Sequence, residues 1–281
     1  MLFILYTYCT NVILIGKVLV KGSEKDLAEE IASFKTLCTF SDLRLPHEWY
    51  PYARLRKRKI YFHGGPTNSG KTYHALQSLR NADTTKGGGI YCGPLRLLAL
   101  EVYESLNRQG IYTNLLTGQE KREVDFATHI ACTLEMVNIT KEYDVAVIDE
   151  IQMITDKQRG SAWTRALQGL MAREIHLCGG LEALSVVQSL VESCGDDFEV
   201  VTYERLSKLV VSDESLRGDY SKVRPGDCIV AFNRSDIFSI KRQVERLTNY
   251  KCAVVYGQLP PETRYQLSIT TNDTTNTNTN F

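Results

Sequence analysis

Gly65-Pro66-Thr67-Asn68-Ser69-Gly70-Lys71-Thr72 decides how the rest of the chain is read. The stretch has the form G-x-x-x-x-G-K-[ST], a phosphate-binding loop. The apolar run Lys59-Ile60-Tyr61-Phe62-His63 leads into it and an amphipathic helical pattern over 71–79 leads out, which is the context this chemistry requires. The glycines let the backbone curl so that successive N–H groups point at an anion, and the helix that follows adds the positive end of its dipole. On this reading Lys71 reaches the β- and γ-phosphates of a nucleotide and the Thr72 hydroxyl ligates Mg²⁺. The competing reading is a glycine turn followed by a solvated lysine.

Outward from the loop, strand-like and helix-like patterns alternate. Apolar runs suited to buried parallel strands lie at 89–92, 111–116, 129–133, 145–148, 175–178 and 198–201, with helical patterns at 94–108, 161–172 and 181–193. That alternation predicts an α/β fold, a doubly wound parallel sheet with ligands gathered at the carboxyl ends of its strands. The run Val145-Ala146-Val147-Ile148 ends in Asp149-Glu150-Ile151-Gln152. In hydrolases with a phosphate loop, an aspartate at this place holds Mg²⁺ and a neighbouring glutamate polarises the attacking water. Adjacent acids alone are common at loop starts; paired with the upstream loop they point to ATP hydrolysis.

The 281 residues suffice for one large or two ordinary domains. Thirty-three basic residues balance 33 acidic ones, so a nucleic-acid surface has to be a local groove rather than an overall field. The eight cysteines form no C-x-x-C pair and no zinc-like spacing, which fits a reducing compartment. Cys92, Cys132, Cys178, Cys228 and Cys252 fall in apolar strand-like runs, where a thiol packs as a small hydrophobe. His63, His74, His129 and His176 lack ligand spacing and read as core or loop histidines, and Tyr61, Tyr91 and Phe126 read as core packing. The basic run Arg54-Leu55-Arg56-Lys57-Arg58-Lys59 reads either as a solvated helix face or as a phosphate contact.

Residues 1–20 are apolar, with a first charge at Lys17. They show neither a secretory nor a transit signal and, with Tyr, Thr, Cys and Asn interspersed, make a poor membrane span; no stable membrane insertion is expected. A helical pattern covers 23–40. After Leu206 the composition changes: 212–227 reads as linker and turn, then a strand at 228–232, a helix at 236–247 and a strand at 252–256 begin another α/β unit. The Thr/Asn-rich end, 270–281, reads as disordered. The expected organisation is an N-terminal extension (1–41), a nucleotide-binding domain (42–206), an incomplete second α/β domain (207–269) and a tail (270–281).

The ordered set Gly65 to Thr72, Pro94-Leu95-Arg96-Leu97-Leu98-Ala99, Thr117-Gly118-Gln119-Glu120, Cys132-Thr133 and Asp149-Glu150-Ile151-Gln152 resembles the motifs of superfamily-two DExH/D-box RNA helicases. The lead-in Asp42-Leu43-Arg44 and Trp49-Tyr50-Pro51, the run Thr72-Tyr73-His74-Ala75 and Tyr256-Gly257-Gln258-Leu259-Pro260-Pro261-Glu262 are similar to the mitochondrial degradosome RNA helicases of the Suv-three type. The resemblance covers roughly residues 42–266. It implies a RecA-like fold, ATP and Mg²⁺ as cofactors, RNA as substrate, an exoribonuclease partner and a mitochondrial location. It also implies roles: Asp149 as second Mg²⁺ holder, Glu150 as water-activating base, Gln152 as sensor of nucleotide state, and Arg96, Thr117, Gly118 and Thr133 at the backbone of single-stranded RNA. Such contacts tolerate any base sequence, which suits a motor.

Two departures stand out. Cys178-Gly179-Gly180-Leu181-Glu182 replaces a segment where relatives usually carry an acidic residue and proline, so the family's coupling of hydrolysis to unwinding is not carried over there. After Gln266 the later motifs, with their arginine finger, are absent; losing such an arginine costs on the order of 10³ to 10⁵ in turnover, which predicts a chain that binds ATP and hydrolyses it poorly. Two other readings share the loop. One is a nucleotide-dependent RNA- or partner-binding protein without motor activity. The other is a nucleoside kinase, against which stand the segments at 94–99 and 117–120 and the missing zinc-type cysteine pairs.

Overall fold

Apolar runs flanked by helices can bury both faces only in a parallel sheet, and that is the arrangement adopted. A computed structural model describes residues 32–33, 35–38, 45–208, 210–257, 259–260 and 263. Eight strands, β1 Lys59–Gly64, β2 Gly89–Gly93, β3 Thr113–Leu116, β4 Lys121–Arg122, β5 His129–Thr133, β6 Glu142–Ile148, β7 Met171–Gly179 and β8 Asp197–Thr202, pair in the order β4-β3-β5-β2-β6-β7-β1-β8. All neighbours are parallel except β3 and the two-residue β4. The helices of ten residues or more among the described residues are α1 Lys71–Arg80, α2 Arg96–Arg108, α3 Gly160–Gly169, α4 Leu184–Cys194 and α5 Arg234–Leu247. The α/β sheet expected from the sequence is therefore present.

Alternation along each strand splits the interior into two layers. On one face Ala146 and Ile148 of β6 join Ile60, Phe62, Ile175 and Leu177 under Trp163 and Leu167 of α3 and Val187 and Val191 of α4. On the other, Val145 and Val147 join Tyr91, Ala131 and Cys178 under Ala75 and Leu79 of α1 and Leu100 and Leu106 of α2. Each fully buried Ile, Leu, Val or Phe contributes roughly 1.5–3 kcal/mol, so these layers fix the strand ends as a rigid edge.

The basic run before β1 follows neither expected reading. Arg58 is buried and donates to the carbonyls of Leu167 (3.0 Å) and Leu170 (2.9 Å) at the end of α3, while also pairing with Asp196. Arg54 donates to the Gln168 carbonyl (2.6 Å), Arg56 pairs with Glu142, Lys57 with Asp197 and Lys59 with Glu199. The run is thus spent on capping a helix C-terminus and on ion pairs across the edge. Removing one partner of a buried pair such as Arg58–Asp196 costs about 3–5 kcal/mol. The same contacts end α3 at Gly169 rather than at 172, and residues 171 and 172 join β7 instead.

Beyond β8 the expectation holds in part. α5 forms, but 228–232 and 252–256 are not strands: among the described residues no ladder partner reaches them, and Val230 and Phe232 are 79% and 98% exposed. Cys228 is exposed rather than packed. Phe126 is likewise 91% exposed, at φ 61°, in the loop before β5, not in the core. Of the helix expected over 23–40, residues 32–33 and 35–38 are described and are helical. The apolar start at 1–20, the lead-in Asp42-Leu43-Arg44, Gln258, Pro261, Glu262 and the tail at 270–281 lie outside the described residues. Among the described residues, no helix is long and apolar enough to cross a membrane.

Candidate nucleotide and strand-contact sites

The loop after β1 gets its shape from two left-handed residues. Asn68 (φ 55°) and Gly70 (φ 82°) alternate with neighbours outside the left-handed region, a succession suited to turning backbone N–H groups inward into an anion-binding concavity. Gly70 caps α1, and a Cβ there would point into open space, so its glycine answers to conformation rather than to crowding. Ser69 Oγ is buried without a hydrogen-bond partner, and Lys71, 8% exposed, folds back to donate to the Pro66 carbonyl at 2.9 Å. A buried hydroxyl without a partner and a lysine held only by a carbonyl are what a phosphate-binding loop needs.

β6 brings the acids to the same edge, separated from β1 by β7. Thr72 Oγ1 lies 3.5 Å from Asp149 Oδ1, close to the roughly 3 Å between neighbouring corners of an octahedron of 2.0–2.1 Å Mg²⁺–oxygen bonds. Tyr91, buried on β2, donates its hydroxyl to Asp149 Oδ2 at 2.9 Å, and the Glu150 N–H donates to Asp149 Oδ1 at 3.0 Å. Burial pushes the Asp149 carboxyl above its ordinary range, offset by the Tyr91 hydroxyl, the Glu150 N–H and the Lys71 charge. The Trp163 indole donates to the Asp149 carbonyl (3.1 Å), which seats the strand end on α3. These residues fit a Mg²⁺–nucleotide complex: a hydroxyl, an aspartate and a lysine converge on an anion cradle.

Glu150 itself is left-handed (φ 50°, ψ 50°), a conformation that costs a residue other than glycine roughly 1–2 kcal/mol and turns its carboxylate off the strand line. Gln152 holds it there. The amide Nε2 donates to Glu150 Oε2, while Oε1 accepts from the Gly180 N–H at 3.2 Å. A Cβ on Gly179 would stand 2.4 Å from that Oε1, so the Gly179-Gly180 pair at the end of β7 is what allows Gln152 to bridge β6 and β7.

The other half of the edge carries the residues expected at RNA. Gly93 pairs with Thr133 and Leu116 with Cys132, so the ends of β2, β5 and β3 lie side by side. Thr133, buried, ends β5; Arg96, half-exposed, opens α2. Thr117 is buried and its hydroxyl is used locally: it donates to the Glu120 carbonyl and accepts from the Glu120 N–H, both at 3.1 Å. That closes a turn whose exposed members are Gly118 and Gln119. Arg159 ties two of these segments together, donating to the Pro94 carbonyl (2.7 Å) and to Glu135.

A polar cleft of about 750 Å³ lies at the opposite, amino-terminal ends of β6 and β7. Arg56, Glu142, Asp144 and Arg173 in its wall pair with one another, and it sits about 20 Å from the acids along β6, so it contributes nothing to this site.

The DEXQ-box helicase domain of Suv3 matches residues 46–203, more than half of the chain. The chain belongs to this family. Asp149-Glu150-Ile151-Gln152 is its D-E-x-Q box, and the sheet is the family's RecA-like fold. A rice relative (Oryza sativa subsp. japonica), "ATP-dependent RNA helicase SUV3L, mitochondrial", is 51% identical over 85% of this chain and 32% of its own length. The Arabidopsis thaliana "DExH-box ATP-dependent RNA helicase DExH16, mitochondrial" is 51% identical over 84% of this chain and 41% of its own. The human "ATP-dependent RNA helicase SUPV3L1, mitochondrial" is 50% identical over 80% and 28%. The chain spans about a third of the length of the curated relatives it matches. Among solved structures, the Pyrococcus furiosus Hef helicase domain has a TM-score of 0.36 at 17% identity, over 56% of this chain and 37% of that one, too slight to argue from.

In this Suv3-type domain sequence reasoning missed three contributors. Tyr91 read as core, which it is, yet its hydroxyl holds Asp149. Arg159 carried no motif signal. His63 and His176 form a hydrogen-bonded pair beside the loop, and among the described residues no group of His, Cys, Asp and Glu able to hold a metal occurs. Only the polar residues' places in otherwise apolar strands could have singled these imidazoles out.

Proposed function

We propose that the chain is the ATP-binding part of an ATP-dependent RNA helicase, acting in mitochondrial RNA degradation or surveillance. The 3.5 Å approach of Thr72 Oγ1 to Asp149 Oδ1, with Lys71 beside them, carries this reading. Gly65, Pro66, Thr67, Asn68, Ser69 and Gly70 wrap the phosphates, Lys71 neutralises the transferred group, and Thr72 and Asp149 hold Mg²⁺. When bound, the metal supplies charge neutralisation to the phosphate oxygens. Glu150, aimed by Gln152, accepts a proton from the attacking water, and the Gln152 bridge passes the state of that site to β7. Arg96, Thr117, Gly118 and Thr133 hold the RNA backbone at the neighbouring strand ends, where phosphate contacts position a strand without reading its bases. On this reading residues 42–206 form the nucleotide-binding domain and 207–269, where α5 forms without the expected strands, begin a second unit, between a 1–41 extension and a 270–281 tail. An exoribonuclease is the expected partner, as in the degradosome family.

ATP turnover of the chain with and without single-stranded RNA, beside a Lys71→Ala variant, tests this. RNA-stimulated turnover that Lys71→Ala abolishes is expected. ATP binding with no response to RNA and no strand displacement would instead identify a nucleotide-dependent binding protein. Failure of the unsubstituted chain to bind ATP ends the reading.

A further inference from the structure

Residues 203–207, leaving β8, run along the outer rim of the phosphate loop and are hydrogen-bonded to it at successive points. The Tyr203 N–H donates to the Gly64 carbonyl (2.8 Å) and the Leu206 N–H to the Asn68 carbonyl (2.9 Å). The Asn68 amide donates to Ser207 Oγ at 2.8 Å. A Cβ on Gly65 would stand 2.7 Å from the Tyr203 carbonyl oxygen, so only glycine admits this approach. Arg205 donates from Nη1 to Thr67 Oγ1 (2.9 Å) and from Nε to the Ser207 carbonyl (2.8 Å). Neither bond neutralises its charge. Arg54, Arg56, Arg58, Arg159 and Arg173 of the same domain each face a carboxylate within 4 Å, and among the described residues Arg205 does not.

Behind this segment stands a row of rings. The Tyr203 hydroxyl lies 2.8 Å from His63 Nδ1, His63 Nε2 lies 2.9 Å from His176 Nδ1, and His176 Nε2 faces the Glu174 carboxylate at 3.6 Å. At that distance Glu174 makes no hydrogen bond to His176 Nε2, which has no other partner among the described residues, but its charge favours a proton there. A proton on His176 Nε2 leaves Nδ1 as acceptor, His63 then donates from Nε2, and its Nδ1 accepts from the Tyr203 hydroxyl. Burial keeps both imidazoles neutral near pH 7. Tyr203 is therefore held by a polar chain anchored two strands deep, and Arg205 sits two residues beyond it.

We propose that Arg205 is a nucleotide-binding residue, supplying a second cation beside Lys71 to the polyphosphate in the loop, and that Tyr203 positions it through the His63–His176 row. This rests on the phosphate-loop reading above. A planar guanidinium with Nη2 uncommitted, at the rim of an anion cradle, matches phosphate oxygens in geometry as well as in charge. The loop is thereby tied to the chain that continues past 207, so that filling it alters the hold on that continuation.

Equilibrium titration of the full chain with Mg²⁺·ATP tests this, using Arg205→Ala, Arg205→Gln, Arg205→Lys and Tyr203→Phe with Lys71→Ala as reference. Arg205→Ala is expected to weaken binding about tenfold. Arg205→Gln, which keeps a donor for Thr67 without the charge, stays as weak, and Arg205→Lys recovers at least about threefold. Tyr203→Phe weakens binding about threefold with the thermal midpoint of the nucleotide-free chain unchanged. Arg205→Ala binding within about twofold of the parent, or Gln rescuing as well as Lys, overturns the cation assignment. Unchanged affinity in Tyr203→Phe removes the positioning role. Loss of ATP binding in the unsubstituted chain would mark failure of the phosphate-loop reading itself.

Discussion

The two halves of the sheet's carboxyl edge are built differently. Around the phosphate loop and the ends of β6 and β7 the polar groups are buried or half-buried and fix one another: Tyr91, reaching across from β2, and the Glu150 N–H on Asp149, Gln152 between Glu150 and Gly180, Lys71 on the loop. At β2, β3 and β5 the side chains mostly serve the backbone, as Thr117 closes its own turn and Arg159 holds the Pro94 carbonyl, leaving Gly118 and Arg96 toward solvent. A buried network sets atoms to the fraction of an ångström that phosphate chemistry needs. Turns that present backbone and an occasional cation suit a ligand that must slide.

The sharpest way to break this contrast is Lys71→Ala, expected to lower kcat/KM for ATP by about 10²–10³ while leaving the RNA affinity of the nucleotide-free chain in place. A comparable loss of RNA binding would show that the halves are not separate. Tyr91→Phe removes one hydrogen bond from Asp149 without opening a cavity. Its half-saturation by Mg²⁺, read from turnover at fixed ATP, should rise about tenfold. Arg159→Ala frees the segments at Pro94 and Glu135, and RNA affinity measured by fluorescence anisotropy should fall about fivefold with ATP affinity unaltered. An equal fall in both would place Arg159 in the shared core instead.

The smallest expected effect is one of pH. Burial, with His176 and His74 nearby and Glu199 opposing them, pushes His63 down to about 4 from an ordinary 6.5. The unfolded chain thus takes up this proton at higher pH than the folded one. The contribution is whole above about pH 6.5 and fades as the pH falls toward 4, by about 1–2 kcal/mol once partial solvent contact is allowed for. Urea midpoints of the parent should drop across that window more steeply than those of His63→Gln; parallel curves would mean that His63 titrates alike in both states.

The phosphate loop, the acid pair and seven of the eight strands were legible because each is a contiguous pattern with its own period. What was not legible depends on which side chain meets which across the fold. The run from Arg54 to Lys59 looked like a charged face and proved to be a set of caps and ion pairs, since its partners, at Leu167, Glu142 and Asp196, lie more than eighty residues away. Residues 228–232 have strand composition, yet a strand exists only with a ladder beside it. Phe126 has the chemistry of a core residue and none of its surroundings. Tyr91 shows the converse: a ring that packs as expected while its hydroxyl, one atom at the end, reaches the acid.

The indole of Trp163 lies wholly inside the domain and is fastened to the main-chain oxygen of Asp149, whereas the chain's other tryptophan, Trp49, is 48% open to water. The protein therefore carries its own optical gauge. Emission from the shielded indole follows the polarity and motion of the acid-bearing strand tip, and iodide or acrylamide silences the outer one, so ligand arrival can be timed without attaching a dye.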